Sequence, residues 1–201
     1  TRFPLSVMNL DICGEDVEDS PLVFETGDPD GILMPTERGY VPMPWLKMPS
    51  ALLPMWMFNE DGTPFDGDPR QVLRRNTQAA RDLGYTFYLA PDIEFFYFET
   101  PQKGKKPQPL DHDGFFDLGT RDAAGDLRKQ TIRKLEQLGI PVEYSFHEDS
   151  PSQQEIDLRH TDALTMADNV MTFRLAVREV ASHHGVHATF MPKPLEGVQG
   201  A

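Results

Sequence analysis

The chain of 201 residues has a formal charge of −13 and a pI near 4.8. With 32 Asp and Glu against 19 Lys and Arg, duplex nucleic acid and anionic membrane surfaces are disfavoured as partners. The lone cysteine, Cys13, excludes an intrachain disulfide and a thiolate zinc cage, whereas the carboxylate surplus suits hard cations such as Mg²⁺ and Mn²⁺.

Residues 1–67 read as short strands broken by turns, with a strand expected over 7–13 and a turn at Asp28-Pro29-Asp30-Gly31. Asn59-Glu60-Asp61-Gly62 has hairpin chemistry between 55–58 and Pro64-Phe65. Asp68-Pro69 is a helix cap followed by proline at the first helical position, and Gly84 fits the stop. Between them Val72, Leu73, Ala79, Ala80 and Leu83 form the expected apolar stripe. Two strands, or one bent strand, are expected over 85–90 and 93–98, and Lys103-Gly104-Lys105-Lys106-Pro107 reads as a solvated basic loop. A second helix is expected over 122–138, buried through Leu127, Thr131, Leu135 and Leu138, then a strand over 142–146. A third helix over 161–184 packs through Leu164, Ala167, Met171 and Val177, and a last strand covers 186–191. The order predicts an α+β body from residue 68 onward, behind a β-rich, Pro-rich part over 1–67. No apolar run approaches the ~18 residues of a membrane helix. Thr1-Arg2-Phe3-Pro4 carries no signal-peptide core, so a reducing, cytoplasmic setting is expected.

No Walker loop or Gly-rich dinucleotide fingerprint is present, so a nucleotide would have to be held by side chains and metals. His183, His184 and His187 read as a helix C-terminal cluster favoured by the dipole rather than a zinc site. Asp28-x-Asp30-Gly31 lacks the later ligands of a calcium loop and reads as a turn. Asp92 and Glu94 are more informative. Two apart in a strand, they share a face, and like charges so placed repel unless a cation bridges them. At this acidic content about five such pairs arise by chance, so the pair alone decides nothing. Glu148 and Glu155, joined by a loop able to fold back, supply the second half. With Asp92 and Glu94 they make four carboxylates from two segments, a set suited to two divalent ions and phosphoryl transfer from ATP.

Three stretches carry a family resemblance. Ala90-Pro91-Asp92-Ile93-Glu94-Phe95-Phe96 resembles the G-P-E-x-E-F-F strand of the glutamine synthetase family. His147-Glu148-Asp149-Ser150-Pro151-Ser152-Gln153-Gln154-Glu155-Ile156 resembles its H-E-V-A-P-G-Q-x-E-I loop, with the same seven-residue step between glutamates. Ala188-Thr189-Phe190-Met191-Pro192-Lys193-Pro194, running on to Gln199 and Gly200, resembles the segment that opens the glutamate site.

The resemblance implies an ATP-dependent ligase joining the γ-carboxylate of glutamate to ammonia or an amine through γ-glutamyl phosphate. It implies a partial β-grasp-like domain over 1–67 and the first portion of a catalytic α/β domain over 68–201. Glu94, Glu148 and Glu155 match the ligands of a first Mg²⁺ or Mn²⁺, and Asp92 matches a ligand of the second. Glu143 and His160 match nucleotide-site positions, and Gln199 and Gly200 match substrate-binding ones. Asp11 and Glu148 match residues that seat and deprotonate the amine, Asp11 reaching a neighbouring subunit in a ring-shaped homo-oligomer. Asp92 replaces the usual Glu, Ser152 a Gly, and Phe146 the first of two histidines. These departures keep open a non-catalytic regulatory or assembly homologue. The wording around Asp11 and over 158–164 is similar to the γ-glutamyl-polyamine synthetase branch. The resemblance covers an internal piece of a longer chain, expected to be inactive by itself.

Overall fold

The computed structural model describes residues 1–20, 27–119 and 123–200. Their contacts divide the chain into two units, one formed by Thr1–Phe87 with Asp162–Ala167, the other by Tyr88–Thr161 with Asp168–Ala201.

In the first unit, β1 (Arg2–Pro4), β2 (Asp30–Pro35) and β5 (Met55–Phe58) form an antiparallel sheet in the order β1-β2-β5. β3 (Val41–Pro42) and β4 (Ala51–Leu52) make a separate two-stranded ladder. Leu5, Met57 and Phe65 pack as a small core. Gly31 belongs where it is because an added Cβ would lie 2.5 Å from the Met57 sulfur and 2.6 Å from Leu5 Cδ2. The strand expected over 7–13 does not form. Leu5–Met8 winds instead into a short 3₁₀ turn, in which Ser6 N–H and Oγ donate to Asp28. The following chain is curled by Asp11, whose Oδ1 accepts from the amides of Cys13 and Glu15. The turn expected at 28–31 is also shorter, since Asp30 and Gly31 already belong to β2.

The expected cap forms at α1 (Pro69–Asp82), with Asp68 Oδ1 accepting from the Arg70 amide while Oδ2 accepts from the Met57 amide. The expected buried stripe does not. Val72, Ala79 and Leu83 are exposed, whereas Gln71 and Thr77 are buried. Polar anchoring wins on this helix. Gln71 Nε2 donates to the Met57 carbonyl, and Arg70 stacks its guanidinium 3.7 Å from the centre of the Trp56 ring.

The second unit contains β6 (Tyr88–Leu89), β7 (Glu94–Glu99), α2 (Ala123–Gln137), β8 (Val142–His147) and β9 (Gln153–Leu158). β10 (Thr161–Asp162) and α3 (Ala163–His183) each belong partly to the first unit, through Asp162–Ala167, and β11 (Val186–Thr189) completes the second. A four-stranded antiparallel sheet runs β11-β7-β9-β8. Strand β9 was not expected, because Gln-Gln-Glu-Ile-Asp-Leu offers little β-branched or aromatic content. Yet it is paired on both sides and every residue in it is buried.

Period two divides the sheet into two faces. On one, Phe95 packs edge-to-face on Phe173 of α3, and Gln154 accepts a hydrogen bond from Arg128 of α2. Leu127, Thr131 and Leu135 of α2 are buried, as expected. On α3 the burial of Val177 is as expected, but Met171 is exposed; Phe173, Ala176 and Val180 are buried with Val177. The start expected for the second helix, Asp122, lies outside the described residues.

Candidate metal centre

The other face of the sheet carries acids. Glu94 of β7 pairs directly opposite Glu155 of β9, so both side chains share that face, and Asp157 follows two residues later. Glu148 joins them from the turn after β8, and Asp92 from the residues just before β7. Two trios result. Glu94, Glu148 and Glu155 place carboxylate oxygens within 4.8 Å of one another, and so do Asp92, Glu155 and Asp157. Glu155 is common to both.

The turn between β8 and β9 is held by a dense polar network. His147 is fully buried, with Nε2 2.8 Å from Asp111 Oδ1 and Nδ1 2.6 Å from the Glu148 carbonyl. Both neighbours are acceptors, so both ring nitrogens carry protons and His147–Asp111 is a buried ion pair. Burial alone would raise the Asp111 carboxyl, but the hydrogen bond and charge of His147, with the Ser152 amide, hold it below its ordinary value. Ser152, at the position where the resembled motif has glycine, adopts φ 60°. Its amide donates to Asp111 Oδ1 and its hydroxyl accepts from the Asp111 amide at 2.7 Å, which offsets the strain of the left-handed backbone.

Gln153 ties the acids to the C-terminal segment. Its Nε2 donates to Glu94 Oε2 and to the Gly200 carbonyl, and Ser150 Oγ donates to the Gln199 carbonyl at 2.8 Å. Gly200 must lack a side chain, since an added Cβ would lie 2.3 Å from the Pro192 carbonyl oxygen. Beside the acids, Tyr144, Phe146 and Phe116 make a stacked aromatic row, with Phe116 and Phe146 centroids 4.5 Å apart.

Glu143 sits exposed on β8, close enough for its charge to act on Asp157. His160 is exposed and meets Tyr88 edge-on, 6.1 Å between ring centres. Asp11 belongs to the first unit, where it is exposed and caps its own loop. Asp157, Gln153 and the Asp111–His147 pair were not singled out from sequence. The same-face rule that joined Asp92 to Glu94 would have joined Asp157 to Glu155, had 153–158 been read as a strand. A cavity of about 260 Å³ elsewhere on this unit, lined by Phe98, Lys105, Gln108, His187, Met191 and Pro194, contains none of these acids.

Crowding has a measurable electrostatic signature. Burial, then Asp157 and Glu148, push the Glu155 carboxyl up to about 9, and burial followed by the Glu148 charge raises Glu94. Asp157 is raised as well, chiefly by burial. Because the folded value of Glu155 exceeds its ordinary 4.5, its contribution to stability is fully present below about 4.5 and is lost as pH rises through about 9. In chelator, the melting temperature of the protein should therefore fall between pH 5 and 9, and Mn²⁺ should reverse the fall. A melting temperature that is flat over this range in chelator would show that the acids do not repel one another.

These stretches match a known family. The sequence model for the glutamine synthetase catalytic domain matches residues 66–201. The chain belongs to the glutamine synthetase family. It is 46% identical over 186 residues to a glutamine synthetase of Mycolicibacterium smegmatis, covering 90% of this chain and 41% of the relative. It is 43% identical over 172 residues to a glutamine synthetase of Clostridium saccharobutylicum, covering 84% and 39%. Among solved structures, a glutamine synthase homologue superposes with TM-score 0.82 at 25% identity, covering all of this chain and 46% of that one. A complex of GmaS with ADP superposes with TM-score 0.77 at 27% identity, covering 91% and 41%. The glutamine synthetase relatives are thus spanned over about two fifths of their length. Within this family member, no helix among the described residues is long and apolar enough to cross a membrane.

Proposed function

We propose that the whole protein is an ATP-dependent ligase that joins the γ-carboxylate of glutamate to ammonia or an amine. The observation that carries this reading is the pair of carboxylate trios sharing Glu155 on the acid-bearing face of the sheet. All donors are oxygens, and like charges packed this closely suit hard divalent cations, Mg²⁺ or Mn²⁺. Glu94, Glu148 and Glu155 would hold the first cation, and Asp92 would contribute to the second. Bound there, the cations would neutralise phosphate charge and polarise the phosphoryl group that ATP donates.

The chain's own residues then divide the work. An oxygen of the glutamate γ-carboxylate attacks the γ-phosphorus, the bond to ADP breaks, and γ-glutamyl phosphate forms. The amine nitrogen attacks the acyl carbon, phosphate leaves, and the surplus proton passes to a carboxylate. Glu148, and Asp11 from a neighbouring subunit of a homo-oligomeric ring, seat the cationic amine and accept that proton. Glu143 and His160 are assigned to the nucleotide, and a nucleotide-binding role is supported by the GmaS neighbour being a complex with ADP. Gln199 and Gly200 open the glutamate site, where Ser150 and Gln153 already anchor their carbonyls. The division at residue 68, with a partial β-grasp-like domain before it, belongs to the same reading, although the contact units divide at Phe87 and Tyr88.

The assay is ADP release by the whole protein, with glutamate, Mn²⁺, ATP and a panel of ammonia, putrescine, spermidine and ethanolamine. Turnover with ammonia fits relatives that are glutamine synthetases, and a preference for a polyamine would place the protein in the polyamine branch. No ADP release with any acceptor would favour a non-catalytic regulatory homologue, a reading for which the Asp92, Ser152 and Phe146 departures speak.

A further inference from the structure

The cavity of about 260 Å³ on the second unit is lined by none of the acids that form the two trios. Phe98, which is buried, lines it together with Met191 and Pro194 and gives it apolar surface. The loop over 100–108 supplies Lys105 and Lys106. That loop is held at its base, where the Glu99 amide donates to the Gln108 carbonyl at 2.9 Å and Thr100 Oγ1 donates to the Gly185 carbonyl at 2.6 Å. Within it the Lys105 amide donates to the Gln102 carbonyl, and Gln108 Nε2 donates to the carbonyls of Lys106 and Pro107. The basic loop therefore brings two cations to an apolar cavity. Among the described residues neither ammonium has an ion-pair partner, although the chain carries 32 acids. Glu99 is the one acid on the lining, so the local balance is positive in a chain of net charge −13.

Apolar surface beside two unpaired cations complements an anion that carries an apolar body. About 150 Å³ suffices for a benzene ring, so this volume takes a ring with a short acidic arm. Inorganic phosphate would cover little of the apolar surface and forgo the gain from burying it. We propose that the cavity binds a small organic monocarboxylate with an aromatic or branched apolar body. Its carboxylate pairs with Lys105 and Lys106, and its body lies against Phe98 and Met191. The site is separate from the acid trios and does not rest on the ligase reading.

The test is titration of the whole protein with phenylacetate, read by calorimetry and by the Met191 signal in methionine-methyl-labelled protein. Binding should saturate with a Kd on the order of 1 mM or tighter, and the Met191 methyl should shift with the same constant. 2-Phenylethanol keeps the ring without the charge, and inorganic phosphate keeps a charge without the ring. Each should bind at least fivefold more weakly than phenylacetate. The double variant Lys105→Ala/Lys106→Ala should weaken phenylacetate at least fivefold. Both side chains are exposed, so its melting temperature without ligand should match wild type. Lys105→Gln/Lys106→Gln should give the same loss, which separates the charges from the packing of the lysine stems. Absence of saturable binding to wild type would overturn the inference whatever the variants do. Binding that leaves the Met191 methyl unmoved, or that survives loss of both lysines, would overturn it by placing the probe elsewhere. Phosphate or 2-phenylethanol binding as tightly as phenylacetate would overturn the assignment of a carboxylate with an apolar body.

Discussion

Glu155→Gln should abolish tight binding of both cations in a single substitution, because its carboxylate is the only member of both trios among the described residues. In the whole protein the expected loss of ligase turnover is at least about 10³-fold, the order reached when preorganised charge stabilisation is removed from a transition state. Glutamine keeps the size and the hydrogen-bonding capacity of the side chain while deleting one charge from a cluster of like charges. The metal-free protein should therefore unfold at a higher temperature than wild type above neutral pH, where the Glu155 proton is being lost. Calorimetric titration with Mn²⁺ and thermal melts in chelator measure the two effects separately. A Glu155→Gln protein that still binds two Mn²⁺ ions tightly would dissolve the shared-ligand picture.

The second large effect is structural. Asp111→Ala leaves the fully buried His147 imidazolium without its counterion and releases the Ser152 amide that shares the same oxygen. Breaking one side of a buried pair costs about 3–5 kcal/mol. Urea unfolding of the whole protein should show a loss of that order at neutral pH. In wild type the contribution of Asp111 should also fade as acid titrates its lowered carboxyl, since a depressed acid stabilises only above its folded value. Because the Asp111 contacts hold the turn that carries Glu148, the cation bound by Glu94, Glu148 and Glu155 should weaken as well. An unchanged urea midpoint would show that the pair does not brace the turn.

Much of this was legible in the residues, and the failures share a cause. The helix at Asp68-Pro69 announces itself through local chemistry, a capping carboxylate and a proline whose missing amide costs nothing there. The carboxylates at 92, 94, 148 and 155 are visible as spaced acids next to aromatic strands. Strand β9 is invisible to propensity because its polar residues are stabilised by distant partners: Arg128 for Gln154, Glu94 and Gly200 for Gln153. Asp157 was passed over with it. The exposed apolar stripe of α1 fails for the mirror reason. Its periodicity is local, whereas burial is decided by Gln71 and by arginines stacked on Trp56, contacts that span more than ten positions in the chain. Asp11 is likewise a side chain whose hydrogen bonds in the structure are those of a turn, and no spacing in the sequence foretells the 3₁₀ winding just before it.

Strand β9 alternates between two incompatible environments, with acids on one side and Gln154, Ile156 and Leu158 on the other. A slip of one position would drive Ile156 among the carboxylates and press Glu155 into the greasy layer under the helices. Single-residue insertions or deletions between Gln153 and Leu158 should therefore be lethal to the fold, while the loop over 100–108 should accept them. A deletion scan across both stretches would trace that boundary of tolerance one codon at a time.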